Sequence, residues 1–261
     1  MVKSGVPCLR PHCSLPLALL LILVAIATRT MAQSPDTSPW FGRKNTISFF
    51  AAYSNDSSHI LLGSADNRKL LDFGAGYNRR LIMNRIVNWQ YSFELLPVAL
   101  ESDPLEIETI QQTAPAVLTS TLNLGSQALN CTPQSTAYSF TTANGVTYAG
   151  TESFSCSGRK WTIGEGISPI GFQWNFMTHD KIQPFLIGHG GYMYSTQPIP
   201  LAMAGSFNFT FDLGAGVEIF QNKTRSIRVE YRYHHISNHD TATENPGIDS
   251  GLFQLSYSFG R

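Results

Sequence analysis

Hydrophobic and polar residues alternate along much of the chain after residue 44, and this period of two is typical of β-strands that bury one face. Between residues 227 and 237, the odd positions read Ile, Val, Tyr, Tyr, His and Ser, whereas the even positions read Arg, Glu, Arg, His and Ile. The pattern recurs in eight segments. We therefore predict strands at residues 45–53, 70–81, 86–98, 161–177, 181–195, 205–220, 225–237 and 249–259.

The connections between these strands alternate between short and long. Polar turns at 83–85, 178–180 and 221–224 separate longer segments at 54–69, 99–160, 196–204 and 238–248. Outer-membrane β-barrels have short periplasmic turns and longer extracellular loops, and a tilted strand needs about 9–11 residues to cross the bilayer. The fold class we predict is all-β, an eight-stranded antiparallel transmembrane β-barrel of the bacterial outer membrane.

Three charged residues of the predicted strand 225–237 fall on one face. Arg228, Glu230 and Arg232 share the even positions of their strand. A charge on the lipid face at mid-bilayer costs about 2–4 kcal/mol, whereas a polar lumen accepts it, so we expect these three residues inside the barrel. The expected acidic partners on other strands are Glu94, Glu218 and Asp212.

The first 32 residues have the organisation of a secretory signal peptide. Lys3 and Arg10 form a positive region before the apolar run at 14–27, and small residues follow before Gln33. The alternative is a membrane-anchor helix, which needs about 20 apolar residues, more than this run contains. We predict a signal peptide at 1–32 and the barrel at 33–261.

Two cysteines remain after residue 32, Cys131 and Cys156, and they lie in the long polar segment 99–160. In an exported protein such a pair predicts one disulfide, because no second cysteine pair or histidine cluster suggests a metal site. We expect the segment to be a long extracellular loop insertion or a small subdomain, stapled by this bridge.

Composition narrows the range of partners. The chain carries 18 basic and 18 acidic residues, and 14% of its residues are charged. This balance gives no basic stripe for nucleic acid. The histidines show no ligand spacing, so we predict no metal and no cofactor. A homodimer is left open.

The stretch "HHISNHDTATENPGIDS", residues 234–250, contains the candidate chemistry. His235 and Ser237 are two apart on a strand and share one face, and an antiparallel neighbour brings Asp249 beside His235. An imidazole oriented by a carboxylate activates a serine hydroxyl, and Asn238 or a nearby backbone N–H can donate to an oxyanion. All three side chains are expected on the lipid-facing side. The alternative is a polar loop that joins two strands.

This stretch resembles the C-terminal signature of PagL-type lipid A 3-O-deacylases, which reads His-x-Ser-Asn, a short loop and Asn-x-Gly-Ile-Glu-Ser. The matching positions are His235, Ser237 and Asn238 at the start, and Asn245, Gly247, Ile248, Asp249 and Ser250 at the end. The resemblance implies an eight-stranded outer-membrane barrel whose active site faces the outer leaflet. It implies an esterase that removes the 3-O-linked acyl chain of lipid A in lipopolysaccharide.

The resemblance also implies the role of each matching residue. Ser237 is the nucleophile, His235 the base and Asp249 the acid, with Asn238 and Gly247 as oxyanion or substrate-positioning residues. Two positions depart from the family pattern: Asp249 replaces a glutamate, and Asp240 replaces a glycine. We expect Asp240 to adopt positive φ less readily than glycine and to bring negative charge near the oxyanion.

Two other functions are compatible with the sequence. One is a non-enzymatic barrel that serves adhesion or envelope integrity through the segment 99–160. The other is a soluble lipocalin-like carrier, whose lumen should be apolar, in contrast to the predicted charges at Arg228, Glu230 and Arg232.

Overall fold

Eight strands close into an antiparallel barrel in the computed structural model, which describes residues 40–58, 60–125 and 131–261. The predicted signal peptide at 1–32 lies outside these ranges. Within the described part of the chain, no helix has the length and apolarity needed to cross a membrane.

The twelve strands of the described residues run as follows: β1 (Asn45–Ser54), β2 (Lys69–Met83), β3 (Val87–Pro104), β4 (Glu106–Ala114), β5 (Leu118–Gly125), β6 (Gln134–Thr141), β7 (Thr147–Ser155), β8 (Arg159–Phe176), β9 (Ile182–Ser195), β10 (Phe207–Asn222), β11 (Arg225–Ser237) and β12 (Ile248–Gly260). The barrel order is β1-β12-β11-β10-β9-β8-β3-β2, and β2 pairs with β1 to close it. The prediction of an eight-stranded antiparallel barrel is confirmed.

The segment 99–160, expected to be a loop insertion or a small subdomain, contains strands of its own. β3 extends through Pro104, β8 begins at Arg159, and β4 to β7 form a separate four-stranded sheet in the order β5-β4-β7-β6. Alternation did not reveal these strands because most side chains of β5 and β6 are exposed on both faces and many are Ser or Thr. The predicted disulfide between Cys131 and Cys156 is present.

The barrel interior contains a network of paired charges. Arg232 donates to both carboxylate oxygens of Glu94 at 2.7 Å and to Glu230 at 3.2 Å. Arg228, Glu230 and Arg232 are all buried, as the even-numbered face predicted. A carrier with an apolar lumen is therefore incompatible with this interior.

Asp212 and Glu218, the other two acids expected to pair with Arg228, Glu230 and Arg232, have different partners in the structure. Asp212 pairs with His234 at 2.6 Å, and Glu218 bonds to Arg43, a residue that precedes β1. Arg228 donates instead to neutral groups, Gln173 at 2.6 Å among them. Strand alternation predicts which face a residue occupies, but the partner depends on the stagger of the closed barrel.

An apolar cluster fills the lumen at the end of the barrel that carries the long loops. Its buried members are Ala52, Ala65, Leu70, Ala99, Met193, Ile199, Ile236, Ile248 and Leu252. A cavity of about 30 Å³ is lined partly by this cluster and partly by polar residues such as Asp72, Arg232 and His234. This volume accommodates only a water molecule or two, so this cavity offers no room for a lipid.

Glu94→Gln is expected to lower the free energy of unfolding by about 3 kcal/mol, because the buried Arg232 would lose its two short hydrogen bonds to the Glu94 carboxylate and keep only the longer ones to Glu230. Urea titration of the barrel refolded in vesicles measures this change. Glu165→Gln is the control, since Glu165 is exposed on β8, and it should change stability by less than about 0.5 kcal/mol. Equal stability of Glu94→Gln and wild type would contradict the expected contribution of the Glu94–Arg232 pair to the free energy of unfolding.

Candidate active site on the outer wall

His235 on β11 and Asp249 on β12 are directly opposite each other in the strand register. The imidazole Nδ1 lies 2.7 Å from Asp249 Oδ1. An ionised carboxylate only accepts hydrogen bonds, so Nδ1 carries a proton, and in the neutral imidazole Nε2 then holds the free lone pair. Within the described residues Nε2 has no hydrogen-bond partner, which leaves it available to accept a proton from outside the pair.

Asp249 is fully buried although it belongs to the outward-facing set of its strand. The segment 60–63 lies over it, and the backbone N–H groups of Leu61 and Leu62 donate to Oδ2 at 2.7 and 2.8 Å. The hydroxyl of Tyr233 donates to Oδ1 at 2.8 Å. With His235, these donors satisfy both oxygens, so the carboxylate is stabilised in its ionised form and held in one orientation.

Ser237 ends β11 two residues beyond His235 and on the same face. Its hydroxyl donates to Asn245 Oδ1 at 2.9 Å and accepts from the His239 N–H at 3.2 Å. It makes no hydrogen bond with His235 in this conformation. The structure therefore brings His235 and Asp249 together and places Ser237 beside them, bonded to the loop that follows.

Asn238 is buried, and its donors are engaged in the same loop. Its Nδ2 donates to the carbonyl of Glu244 at 2.7 Å, and its backbone N–H donates to Asn245 Oδ1 at 3.1 Å. In this conformation the side chain of Asn238 thus holds the loop from 238 to 245 together.

Gly247 borders the imidazole. Its φ is +65°, and an added Cβ would lie 3.2 Å from His235 Cε1 and 3.3 Å from the Cα of Gly63. A side chain here would be strained by the left-handed backbone and would crowd the ring. Glycine at this position therefore keeps the space beside His235 open.

The turn after Ser237 uses positive φ at two non-glycine residues, His239 at 52° and Asp240 at 59°. Asp240 therefore adopts the left-handed conformation that glycine adopts more readily, and aspartate is among the non-glycine residues that tolerate it. Asp240 is exposed, so water solvates its charge.

Exposed aromatic rings flank the site on the outer wall. In the strand register Phe211 is opposite His235 and Phe209 is opposite Ser237, and their exposed fractions are 47% and 43%. Tyr231 and Phe253, opposite each other on β11 and β12, are 62% and 55% exposed. Such an apolar outer surface fits contact with lipid acyl chains.

A second set of ionisable groups lies in the lumen. Glu94, His189 and Asp212 bring three ligand atoms within 4.8 Å of one another. Glu94 is already bonded to Arg232, His189 Nε2 to Ser92 and Asp212 to His234. Both carboxylates of the set therefore already have partners within the protein.

Sequence reasoning missed three contributors to the site: Tyr233, Leu61 and Leu62. Tyr233 had a usable signal, since strand alternation puts residue i−2 on the same face as His235. The two leucines had none, because they act through backbone N–H groups of a loop that is 188 and 187 residues away from Asp249 in sequence.

Comparison with known proteins identifies a family and a set of similar barrels. A sequence model described as "Lipid A 3-O-deacylase (PagL)" matches residues 120–258, more than half of the chain. No curated protein sequence matches. Among solved structures, the outer membrane enzyme PagL has 13% identity and a TM-score of 0.45, over 82% of this chain and 99% of that one. Neisserial surface protein A has 12% identity and a TM-score of 0.39, over 84% and 97%.

Proposed function

The chain belongs to the lipid A 3-O-deacylase (PagL) family and lies in the bacterial outer membrane, and we propose that it hydrolyses the 3-O-linked acyl ester of lipid A through Ser237, His235 and Asp249. The observation that carries the proposal is the 2.7 Å bond between His235 Nδ1 and Asp249 Oδ1. It orients an otherwise unbonded Nε2 on the outer wall, two residues from a serine.

The mechanism has two half-reactions. Ser237 Oγ attacks the ester carbonyl carbon while its proton moves to His235 Nε2, and the imidazolium then protonates the departing 3-oxygen of lipid A. The acyl group remains as an ester on Ser237. Water then attacks this ester, gives its proton to Nε2, and the fatty acid leaves as Ser237 recovers its proton. Asp249 stabilises the imidazolium throughout, and no cofactor is needed.

Attack requires Ser237 to exchange its bond with Asn245 for one with His235. The Cα atoms of residues i and i+2 on a strand lie roughly 6–7 Å apart, so rotation about the Cα–Cβ bond of Ser237 can bring its hydroxyl toward the ring. The same rotation releases the His239 N–H, which now donates to Ser237 Oγ at 3.2 Å. That N–H becomes a free donor next to the nucleophile, as an oxyanion requires.

The substrate reaches the site through the membrane. His235 and Ser237 share the outward face with the exposed rings of Phe209 and Phe211. Lipopolysaccharide in the outer leaflet therefore meets the site by lateral diffusion, with its acyl chains along the aromatic wall.

The test is the mass of lipid A from a Gram-negative host that expresses the protein, compared with the same host carrying an empty vector. Loss of one 3-hydroxyacyl group, with release of the matching free fatty acid, is expected. Unchanged lipid A, while heat-modifiable gel mobility shows a folded barrel in the membrane, would refute the lipid A assignment. The non-enzymatic role in adhesion or envelope integrity would then be preferred.

Tyr233→Phe is expected to lower kcat about threefold to tenfold, because Asp249 Oδ1 loses one of its two donors while His235 remains bonded. The variant changes no contact to the substrate, so KM should stay within about twofold. Release of fatty acid from purified lipid A measures both constants. Tyr231→Phe is the matched control on the same strand, because Tyr231 is 62% exposed and has no hydrogen bond to Asp249. Equal loss in both variants would contradict this role.

A further inference from the structure

The loop between β1 and β2 is attached to the start of β12. Ser57 forms an isolated bridge with Ser250, and the Ser58 N–H donates to the carbonyl of Asp249 at 3.1 Å. After the segment 60–63, the Ser64 N–H donates to the carbonyl of Pro246 at 2.8 Å. The segment is therefore held at both ends against the strand that carries the acid.

Gly63 allows the segment to approach this closely. An added Cβ at Gly63 would lie 2.9 Å from Asp249 Oδ1, and its two nearest contacts would be the backbone nitrogen of Asp249 at 2.5 Å and the carbonyl carbon of Ile248 at 2.8 Å. Both contacts are with backbone, which has little freedom to move aside. Any larger residue would push the segment, and the N–H groups of Leu61 and Leu62, away from the carboxylate.

The side chains of the segment point away from the barrel. Ile60, Leu61 and Leu62 are 46%, 75% and 68% exposed. Three consecutive exposed apolar side chains are unfavourable in water. Here they are continuous with an outer wall that already exposes Tyr53, Phe253 and Leu255, so the partner that suits them is the acyl-chain layer of the membrane.

We infer that the segment 60–63 is a lipid-anchored positioning element, in which the Leu61 and Leu62 side chains insert among acyl chains and their backbone N–H groups hold Asp249 in line with His235. This inference rests on the proposed function. Asp249 is one methylene shorter than the glutamate of the family pattern, and the inference explains how the loop orients this shorter carboxylate. Catalysis then depends on contact between that loop and lipid.

Gly63→Ala tests the positioning role. It keeps both leucines and displaces their N–H groups, so kcat should fall at least about tenfold while KM stays within about twofold. Gly190→Ala is the matched control, because an added Cβ at Gly190 meets nothing within 4 Å. Wild-type kcat in Gly63→Ala would overturn the inference and leave the proposed function standing. An inactive wild type would refute the proposed function alone.

Hydrogen exchange gives a readout that is independent of activity. The amides of Leu61 and Leu62 should exchange at least about tenfold faster in Asp249→Ala than in wild type, because they lose their acceptor. Ser237→Ala should leave their exchange unchanged. Equal exchange in wild type and Asp249→Ala would overturn the inference even if the enzyme is active.

The lipid contact is tested by the double variant Leu61→Ser/Leu62→Ser, with the barrel in vesicles that contain lipopolysaccharide. It keeps both N–H groups, yet these should exchange faster and kcat should fall about fivefold or more, because the anchor is lost. The control is Leu118→Ser/Leu122→Ser in β5, where both leucines are similarly exposed, and it should behave as wild type. Unchanged exchange and kcat in the first variant would overturn the anchoring.

Discussion

Ser237→Ala is expected to lower the rate of acyl release by about 10³-fold or more, because it removes the hydroxyl that is proposed to form the acyl-enzyme. The measurement is single-turnover release of fatty acid from lipid A in mixed micelles. The variant should also leave lipid A unmodified in a host. Binding of the substrate should change little, since the hydroxyl is a small part of the contact surface.

The hydroxyl of Ser237 also caps the loop through Asn245 and His239. Asn245→Ala separates the two roles, because it removes the cap and leaves the hydroxyl in place. It should retain activity within about tenfold of wild type. Near-complete loss in Asn245→Ala, together with substantial activity in Ser237→Ala, would show that Ser237 serves the loop and not the chemistry.

Asp249→Asn is expected to lower kcat by about 10³-fold, because an amide beside His235 cannot stabilise the imidazolium and favours the wrong tautomer. The side chain keeps its size, so the segment 60–63 should remain in place. Asp249→Glu retains the charge and should keep more activity than Asp249→Asn. Steady-state kinetics of the two variants measure this order.

Folding must be equal before the comparison of the acid variants is interpreted, and heat-modifiable gel mobility establishes it. If Asp249→Asn had the activity of wild type, His235 would not depend on the carboxylate and the proposed triad would be incorrect. If Asp249→Glu were the less active of the two, steric fit under Gly63 would outweigh charge.

The barrel could be predicted from the sequence because its signals are local. Successive residues on a strand point inward and outward in turn. The charges at Glu230 and Arg232 therefore predicted that even positions face the lumen, which places His235 and Ser237 on the outer wall. The alternation of short and long connections added the orientation. The sheet at 106–155 escaped this reasoning, since strands exposed on both faces need no apolar alternation.

The residues of the candidate site could also be predicted where the signal is local in sequence. His235 and Ser237 are neighbours on one strand face, and Asp249 follows after one loop, so the spacing and the resemblance to a family signature were enough to name all three residues. Their observed geometry is unequal: His235 bonds to Asp249 at 2.7 Å, whereas Ser237 bonds to Asn245.

By itself, then, the sequence determined the barrel, the inward or outward face of the barrel residues Arg228, Glu230, Arg232, His235 and Ser237, and the identity of the candidate triad. Only the tertiary structure decided that Asp249 is buried, that Tyr233 bonds to it, and that the backbone of Leu61 and Leu62 holds it. Every residue except proline has the same backbone N–H group, so no sequence pattern can predict which of them act as donors to Asp249. Their role arises when barrel closure places the first long loop beside the last strand.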